Sequence, residues 1–149
     1  MKTHVILHPK AGTASDAHDL ATALRRFGEV QLDTTDAPGS AQALTQAALA
    51  AGATLVVAVG GDGMINEGVN GLAQDFGQAR LGIIPLGTGN DFARSIQLPT
   101  DLEAAVETFI AARTKVLDVV RVTSDVSASS STSRPAASAA CSTRRRPPQ

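Results

Sequence analysis

The sequence predicts an α/β protein in which a mainly parallel sheet lies between two layers of helices. Short apolar runs of β character alternate with amphipathic helical stretches as far as about residue 122, and glycine-rich segments follow two of these runs. Apolar residues make up 43% of the 149 residues and charged residues 18%, which suits one globular domain. Because strands that alternate with helices form right-handed βαβ units, we expect a three-layer α/β/α sandwich over residues 1–123.

Five segments have the short apolar character of strands. They are His4–Leu7, Val30–Asp33, Thr54–Val59, Leu81–Ile84 and Lys115–Val122. Ligands of open α/β sheets bind beyond the carboxyl ends of the strands. The two glycine-rich segments follow the third and fourth predicted strands, so they are expected at this edge.

Helical spacing of apolar residues predicts the connections between these strands. Between the first two strands the pattern consists of Ala17, Leu20, Ala21, Leu24 and Phe27. Ser40 is predicted to cap the next helix. Thr100 and Glu103 form a capping-box pattern ahead of an apolar stripe, which predicts the start of the last helix.

Residues 124–149 differ from the rest of the chain. They contain one Val and no Leu, Ile, Phe or Met, and are rich in Ser, Ala, Arg and Pro. Such a segment buries too little apolar surface to offset the entropy of ordering. We therefore expect a disordered tail over 124–149.

Charge and composition exclude several functions. Residues 1–123 carry 9 Lys and Arg against 13 Asp and Glu, and the whole chain has four Phe, no Trp and no Tyr. An acidic body with few aromatic rings argues against nucleic acid as a partner.

The single cysteine, Cys141, excludes an internal disulfide. The N-terminus has only a four-residue apolar run, too short for a signal peptide, so we expect a cytoplasmic protein.

The first glycine-rich segment follows the strand Thr54–Val59 and reads Gly60-Gly61-Asp62-Gly63-Met64-Ile65-Asn66. Glycines permit close backbone approach, so consecutive N–H groups can converge on an anion, and the dipole of the following helix adds to the attraction. Asp62 would repel phosphate, which makes sense if its carboxylate faces Mg²⁺ or holds the loop. The simpler interpretation is a tight turn with an aspartate cap.

The second segment reads Pro85-Leu86-Gly87-Thr88-Gly89-Asn90-Asp91 and again follows a short apolar strand. The Thr88 hydroxyl is a candidate hydrogen-bond partner for a phosphate or a base edge. Asp91 is a candidate to join Asp62 at a metal. Asn90 and Asp91 alone are also a suitable helix cap. Two such turns after neighbouring strands favour a site over two unrelated caps.

Together, GGDGMINEGVNG and GIIPLGTGNDFAR resemble the catalytic domain of the diacylglycerol kinase family, including bacterial lipid kinases. The similarity extends over roughly residues 3–122. His8-Pro9-Lys10-Ala11-Gly12 resembles the first turn of that family, and Thr35 resembles its threonine after the second strand. Asp118 resembles its aspartate on the strand that leaves the first domain.

The resemblance implies an ATP-dependent lipid kinase that transfers the γ-phosphate to a lipid hydroxyl. It implies that Thr35, the segment from Gly60 to Asn66, and Thr88 line the ATP site. It also implies that Asp62, Asp91 and Asp118 support a network of water and Mg²⁺. The partners implied are ATP and a lipid, with transient peripheral contact at the membrane surface.

Two residues depart from the family pattern: His8 stands in place of Asn, and Met64 in place of Thr. Loss of the threonine hydroxyl is expected to remove one hydrogen bond, about 1 kcal/mol. His8 and the other histidines, His4 and His18, are expected to be incidental to catalysis.

Family members continue into a second, mainly β domain that carries the general base, and no catalytic residue is therefore assigned here. We expect a chain truncated to the nucleotide-binding half, or read out of frame after about residue 122, and inactive alone. The alternatives are an NAD-kinase-like enzyme, which also uses GGDG, and a non-catalytic nucleotide-binding module.

Overall fold

The computed structural model describes residues 2–10, 14–25, 28–111, 114–120 and 140–142. The chain divides into two compact units, residues 1–113 and 114–149. The elements of the first unit are β1 (Lys2–Leu7), α1 (Ala14–Leu24), β2 (Glu29–Thr34), α2 (Ser40–Ala50), β3 (Leu55–Gly60), α3 (Asp62–Leu72), β4 (Arg80–Pro85), α4 (Asp91–Ser95) and α5 (Leu102–Ile110).

The first unit is built on a four-stranded parallel sheet in the order β2-β1-β3-β4. The register aligns the carboxyl ends: Leu7 pairs with Thr34 and with Val59, and Gly60 pairs with Pro85. The four loops that follow these strands therefore leave the sheet at one edge. The predicted α/β fold with a parallel sheet is confirmed, and each of the first four predicted strands falls on an observed one.

Alternate residues of the strands face opposite helical layers, because successive side chains of a strand point to opposite sides. On one face Val5, Val57 and Ile84 pack with Leu20 and Leu24 of α1 and with Ala105 of α5. On the other face Ile6 and Val56 pack with Ala41 and Ala48 of α2 and Met64 of α3. Helices thus cover both faces, which is the three-layer arrangement that the sequence predicts.

Helices α2 and α3 pack closely because α3 carries a glycine at their contact. A Cβ added to Gly71 would lie 2.5 Å from Thr45 Cβ and 2.9 Å from the carbonyl oxygen of Gln42. Thr45 is fully buried and donates its hydroxyl to the carbonyl of Ala41 at 2.7 Å. There is no space for a methyl group at residue 71. This close contact packs the last turn of α3 against the first half of α2.

Both predicted helix caps are wrong by one residue. Gly39, in a left-handed conformation (φ 89°), precedes α2, and Ser40 is already helical. The Ser40 hydroxyl instead accepts from the N–H of Ala37 at 2.9 Å, so it stabilises the preceding turn. At α5 the cap is Asp101, whose carboxylate accepts from Ala104 N–H at 3.1 Å. A carboxylate at this position is the better acceptor, since its charge complements the helix dipole.

The second unit contains β5 (Asp118–Val120), which pairs antiparallel with β6 (Ala140–Ser142). β5 lies within the predicted strand Lys115–Val122. β6 lies within the segment expected to be a disordered tail, and the rest of residues 124–149 lie outside the described residues. The domain boundary at residue 123 stays a prediction. In the described part of the chain, no helix combines the length and apolar character needed to cross a membrane.

Two glycine substitutions in α3 are expected to change stability in opposite directions. Gly71→Ala should lower the free energy of unfolding by about 1–3 kcal/mol, because the added methyl overpacks against Thr45. The higher helix propensity of alanine offsets up to about 1 kcal/mol of this loss. Gly63→Ala should leave it unchanged or raise it by up to about 1 kcal/mol, because nothing lies within 4 Å of the added methyl. Urea unfolding measures both. Equal effects of the two substitutions would contradict the close packing of α2 on α3.

Candidate functional site: two glycine loops joined at the carboxyl edge of the sheet

Two loops at the carboxyl edge contact each other through their backbones. We call Gly60–Gly63 the first loop and Leu86–Asn90 the second loop. The N–H of Leu86 donates to the carbonyl of Gly60 at 3.0 Å. A Cβ on Gly87 would collide with the Cα of Gly61 and lie 3.0 Å from its nitrogen. Glycine is therefore required at residue 87 because another backbone occupies the space of a side chain.

Asp62 joins the first loop to the helix that follows the second loop. Its Oδ2 accepts from the N–H of Asp91 at 3.1 Å, and its Oδ1 accepts from the N–H of Phe92 at 2.9 Å. The Asp62 carboxylate thus satisfies the exposed donors in the first turn of α4, where negative charge is favourable. Of the interpretations left open for Asp62, the structure shows the one in which it holds a loop.

Asn90 closes the second loop rather than capping α4. Its Oδ1 accepts from the N–H of Gly87 at 3.0 Å, and its Nδ2 donates to the Gly87 carbonyl at 2.6 Å. The side chain is buried, and the residue adopts a left-handed backbone (φ 56°). Asn90 occupies the N-cap position of α4, but its side chain makes no capping bond there, and Asp62 supplies the acceptor from the neighbouring loop.

The side chains of the first loop and of α3 divide between core and solvent. Met64 and Ile65 are buried, and Met64 packs in the core between α2 and the sheet. Gly63 and Asn66 are exposed, and a Cβ on Gly63 would meet nothing within 4 Å. The open surface on the first turn of α3 is therefore made of backbone around Gly63. The Met64 side chain also lies against Gly60, where an added Cβ would be 2.6 Å from Met64 Cγ.

Two threonines were predicted for the site. Thr35 is buried directly after β2, where its N–H donates to the carbonyl of Leu7 at 2.9 Å and its hydroxyl donates to the same oxygen at 3.4 Å. Thr88 is exposed in the second loop. Both residues follow strands of the same sheet edge, as the sequence predicts.

His8 has a local structural function. Its Nδ1 accepts from the N–H of Lys10 at 3.1 Å and closes the turn after β1, as an asparagine side chain does in comparable turns. The N–H of His8 donates to the Val59 carbonyl at 3.1 Å, which places this turn beside the first loop. His8 therefore supplies the side-chain acceptor that closes this turn.

Two of the three predicted metal-network aspartates lie together. A Cβ on Gly89 would lie 3.2 Å from Asp62 Oδ2 and 4.0 Å from Asp91 Oδ2, so both carboxylates flank the second loop. Arg94 approaches Asp91 at 3.8 Å on the surface. Asp118 is exposed on β5, in the second unit. Among the residues that the structure describes, no group of three or more His, Cys, Asp or Glu side chains forms a metal cluster.

In the loop between β2 and α2, the pKa of the Asp36 carboxyl is lowered. The Ser40 hydroxyl, which donates to Asp36 Oδ1 at 2.7 Å, holds the pKa of Asp36 below its ordinary value of 3.8. Backbone N–H groups of Asp36 and Ala37 lower the pKa further, whereas burial acts in the opposite direction. The charged form of Asp36 therefore stabilises the turn that follows Thr35.

Sequence reasoning missed Glu67. Its Oε1 accepts from the N–H of Gly39 at 2.9 Å, and its Oε2 accepts from the N–H of Ala41 at 3.0 Å. Glu67 therefore caps α2 from the neighbouring helix. The available signal was the absence of a suitable side-chain cap at Gly39.

Comparisons with known proteins agree with this geometry. The family model of the diacylglycerol kinase catalytic domain matches residues 2–122. A solved structure of a diacylglycerol kinase from Bacillus anthracis is 30% identical, with a TM-score of 0.70 over 79% of this chain and 46% of that one. Diacylglycerol kinases of Staphylococcus epidermidis and Staphylococcus haemolyticus are 34% and 39% identical over 122 and 102 residues.

The fold and the two joined loops thus define an α/β domain with a candidate ligand site at the carboxyl edge of its sheet. The chain belongs to the diacylglycerol kinase family. The match covers 79% of this chain but 39% of the S. epidermidis protein, and 68% against 31% for S. haemolyticus. The chain therefore spans less than half the length of these relatives.

Asp62→Asn is expected to loosen the junction of the two loops. The amide keeps one acceptor but presents an NH₂ group to the other N–H, so loss of a charge-assisted bond should cost about 1–3 kcal/mol in free energy of unfolding. Amide exchange should accelerate at Asp91 and Phe92. Asp91→Asn is the matched control: its side chain is 88% exposed, so the change should stay within about 0.5 kcal/mol. Equal losses in the two variants would contradict the capping function of Asp62.

Ser40→Ala is expected to raise the pKa of Asp36 toward 3.8. A depressed pKa in the folded state contributes stability above the unfolded pKa and loses it as pH falls through the folded value. The stability difference between wild type and variant should therefore shrink below that pH. Carboxyl carbon NMR titration measures the pKa, and Ser95→Ala, which removes a hydroxyl on α4, should leave it unchanged. An unaltered Asp36 titration in Ser40→Ala would refute the assignment.

Proposed function

We propose that this chain is the nucleotide-binding half of an ATP-dependent lipid kinase that phosphorylates a lipid hydroxyl. The observation that carries the proposal is the open first turn of α3, where the backbone around Gly63 is exposed beside two joined glycine loops. Membership of the diacylglycerol kinase family supports the reaction class. The relatives are diacylglycerol kinases by name, and diacylglycerol is accordingly the first substrate to test.

The proposed ATP site uses backbone groups more than side chains. The segment Gly60 to Asn66 would bind phosphate through the N–H groups that precede Ile65, at the amino end of α3, where backbone donors and the helix dipole attract anions. The N–H of Ile65 itself donates to the Gly61 carbonyl. Thr88 would offer its exposed hydroxyl from the second loop. Thr35 would contribute mainly through the placement of its loop, because its own hydroxyl is directed to the carbonyl of Leu7.

The residues present fit Mg²⁺ as an accompanying ion. Mg²⁺ prefers oxygen ligands and usually takes one or two carboxylates together with substrate phosphates. Asp62 and Asp91 supply two neighbouring carboxylates. The contribution of Asp118 stays a prediction of the family resemblance. When bound, the ion would neutralise charge on the transferring phosphate. Asp62 would have a second task, since it already orients the first turn of α4.

Transfer to a lipid needs a base that accepts the hydroxyl proton. In the family this group belongs to a second domain, so ATP binding and transfer to lipid are two separate measurements. In the complete enzyme we expect a cytoplasmic location with transient contact at the membrane surface, where the lipid hydroxyl becomes accessible.

ATP binding can be measured by calorimetry in the presence of Mg²⁺. Wild type should bind saturably. Gly63→Ala should lower the affinity at least tenfold while leaving the fold intact, because its methyl fills the open surface that the phosphates are proposed to use. Thr88→Ala should lower it severalfold, whereas Thr100→Ala, an exposed threonine ahead of α5, should leave it unchanged. A folded wild-type chain that binds no ATP would refute the proposal.

The acceptor distinguishes the remaining interpretations. Labelled phosphate from ATP should reach diacylglycerol in vesicles when a lipid kinase of this family is assayed at full length. Transfer to NAD would instead establish an NAD-kinase-like enzyme. ATP binding with transfer to neither acceptor, in a full-length protein, would establish a non-catalytic nucleotide-binding module.

A further inference from the structure

The loop between β2 and α2 is attached at both ends. At its start, the N–H of Thr35 donates to the Leu7 carbonyl at 2.9 Å. At its end, Glu67 of α3 accepts from the N–H of Gly39 at 2.9 Å and from that of Ala41 at 3.0 Å. Between these points Ser40 closes the turn internally through Asp36 and Ala37. The attachment to β1 therefore comes from the N–H and the hydroxyl of Thr35, and the attachment to α3 comes from the single side chain of Glu67.

We propose that Glu67 is a positioning residue that fixes this loop, and with it Thr35, relative to the glycine loop at the start of α3. This inference rests on the proposed nucleotide site. Glu67 is half-buried and follows Asp62 by five residues in the same helix. Five residues rotate a helix by roughly 140°, so the two carboxylates leave α3 on different sides. Asp62 reaches the first turn of α4, and Glu67 reaches the first turn of α2.

The carboxylates of Asp62 and Glu67 have the same capping function for two neighbouring helices. Each accepts two backbone N–H groups at the amino end of a helix that has no side-chain cap of its own. Such bonds are charge-assisted and directional, so they fix position as well as adding stability. One helix thereby sets the position of both flanking loops at the carboxyl edge. A nucleotide that touches Thr35, α3 and Thr88 together would depend on this alignment.

A purely structural function for Glu67 would make a different prediction. If Glu67 only stabilised the fold, any variant of equal stability should bind nucleotide equally well. Val106→Ala provides that comparison, because Val106 packs from α5 against the core on the opposite face of the sheet. Glu107→Gln provides the charge control, since this glutamate lies exposed on α5.

The experiment combines amide exchange with ATP affinity. In Glu67→Gln, exchange at Gly39 and Ala41 should accelerate at least tenfold, while the central strand amide of Val57 changes less than twofold. The dissociation constant for Mg²⁺-ATP should rise at least fivefold, and further in Glu67→Ala. Glu107→Gln should leave both measurements unchanged.

The outcomes separate the two proposals. Unchanged exchange at Gly39 and Ala41 in Glu67→Gln would overturn the attachment of the loop. Faster exchange with unchanged ATP affinity, or an equal loss of affinity in Val106→Ala, would overturn the positioning function. Absence of ATP binding in the wild type would refute the proposed function and its dependence on Glu67, while the exchange result would still decide whether Glu67 holds the loop.

Discussion

At the carboxyl edge of the sheet, the backbones of Gly61 and Gly87 approach so closely that Gly87 has no room for a side chain, and a Cβ on Gly61 would lie 3.2 Å from the Cα of Gly87. This contact fixes the spacing of the first and second loops. Asp62 then binds across the contact to the N–H groups of Asp91 and Phe92, and Asn90 closes the second loop from within. The side chains of Asp62 and Asn90 are therefore held in place by hydrogen bonds to the backbone of the second loop and of α4.

Much of the architecture was predictable because its determinants are local. The apolar runs identified β1 to β4, and the glycine segments identified the ligand edge, since each signal lies within a few residues of the chain. The errors involve choices between neighbouring residues. Ser40 and Thr100 were predicted as caps, but Gly39 and Asp101 occupy these positions, because the start of a helix depends on which side chain reaches the free N–H groups.

The contacts between elements were harder to predict. The Met64 side chain packs in the core although Met64 belongs to the glycine motif. The local sequence pattern does not indicate which side chains of this motif are buried and which face solvent. Glu67 was missed for the same reason, since its partners Gly39 and Ala41 lie 28 and 26 residues earlier. Asn90 was assigned to the helix that it precedes, whereas Asp62 from another loop provides the cap. Functional geometry here arises between elements, where spacing along the chain carries little information.

The contact of Gly71 with Thr45 links the evolution of two helices. Because residue 71 has no room for a methyl group beside Thr45, a relative with a larger residue at this point of α3 needs a smaller one at the facing point of α2, or a wider separation of the helices. A wider separation would carry Glu67 away from the N–H groups of Gly39 and Ala41. Correlated substitution at positions 45 and 71 is therefore the pattern expected in sequences that keep this edge intact.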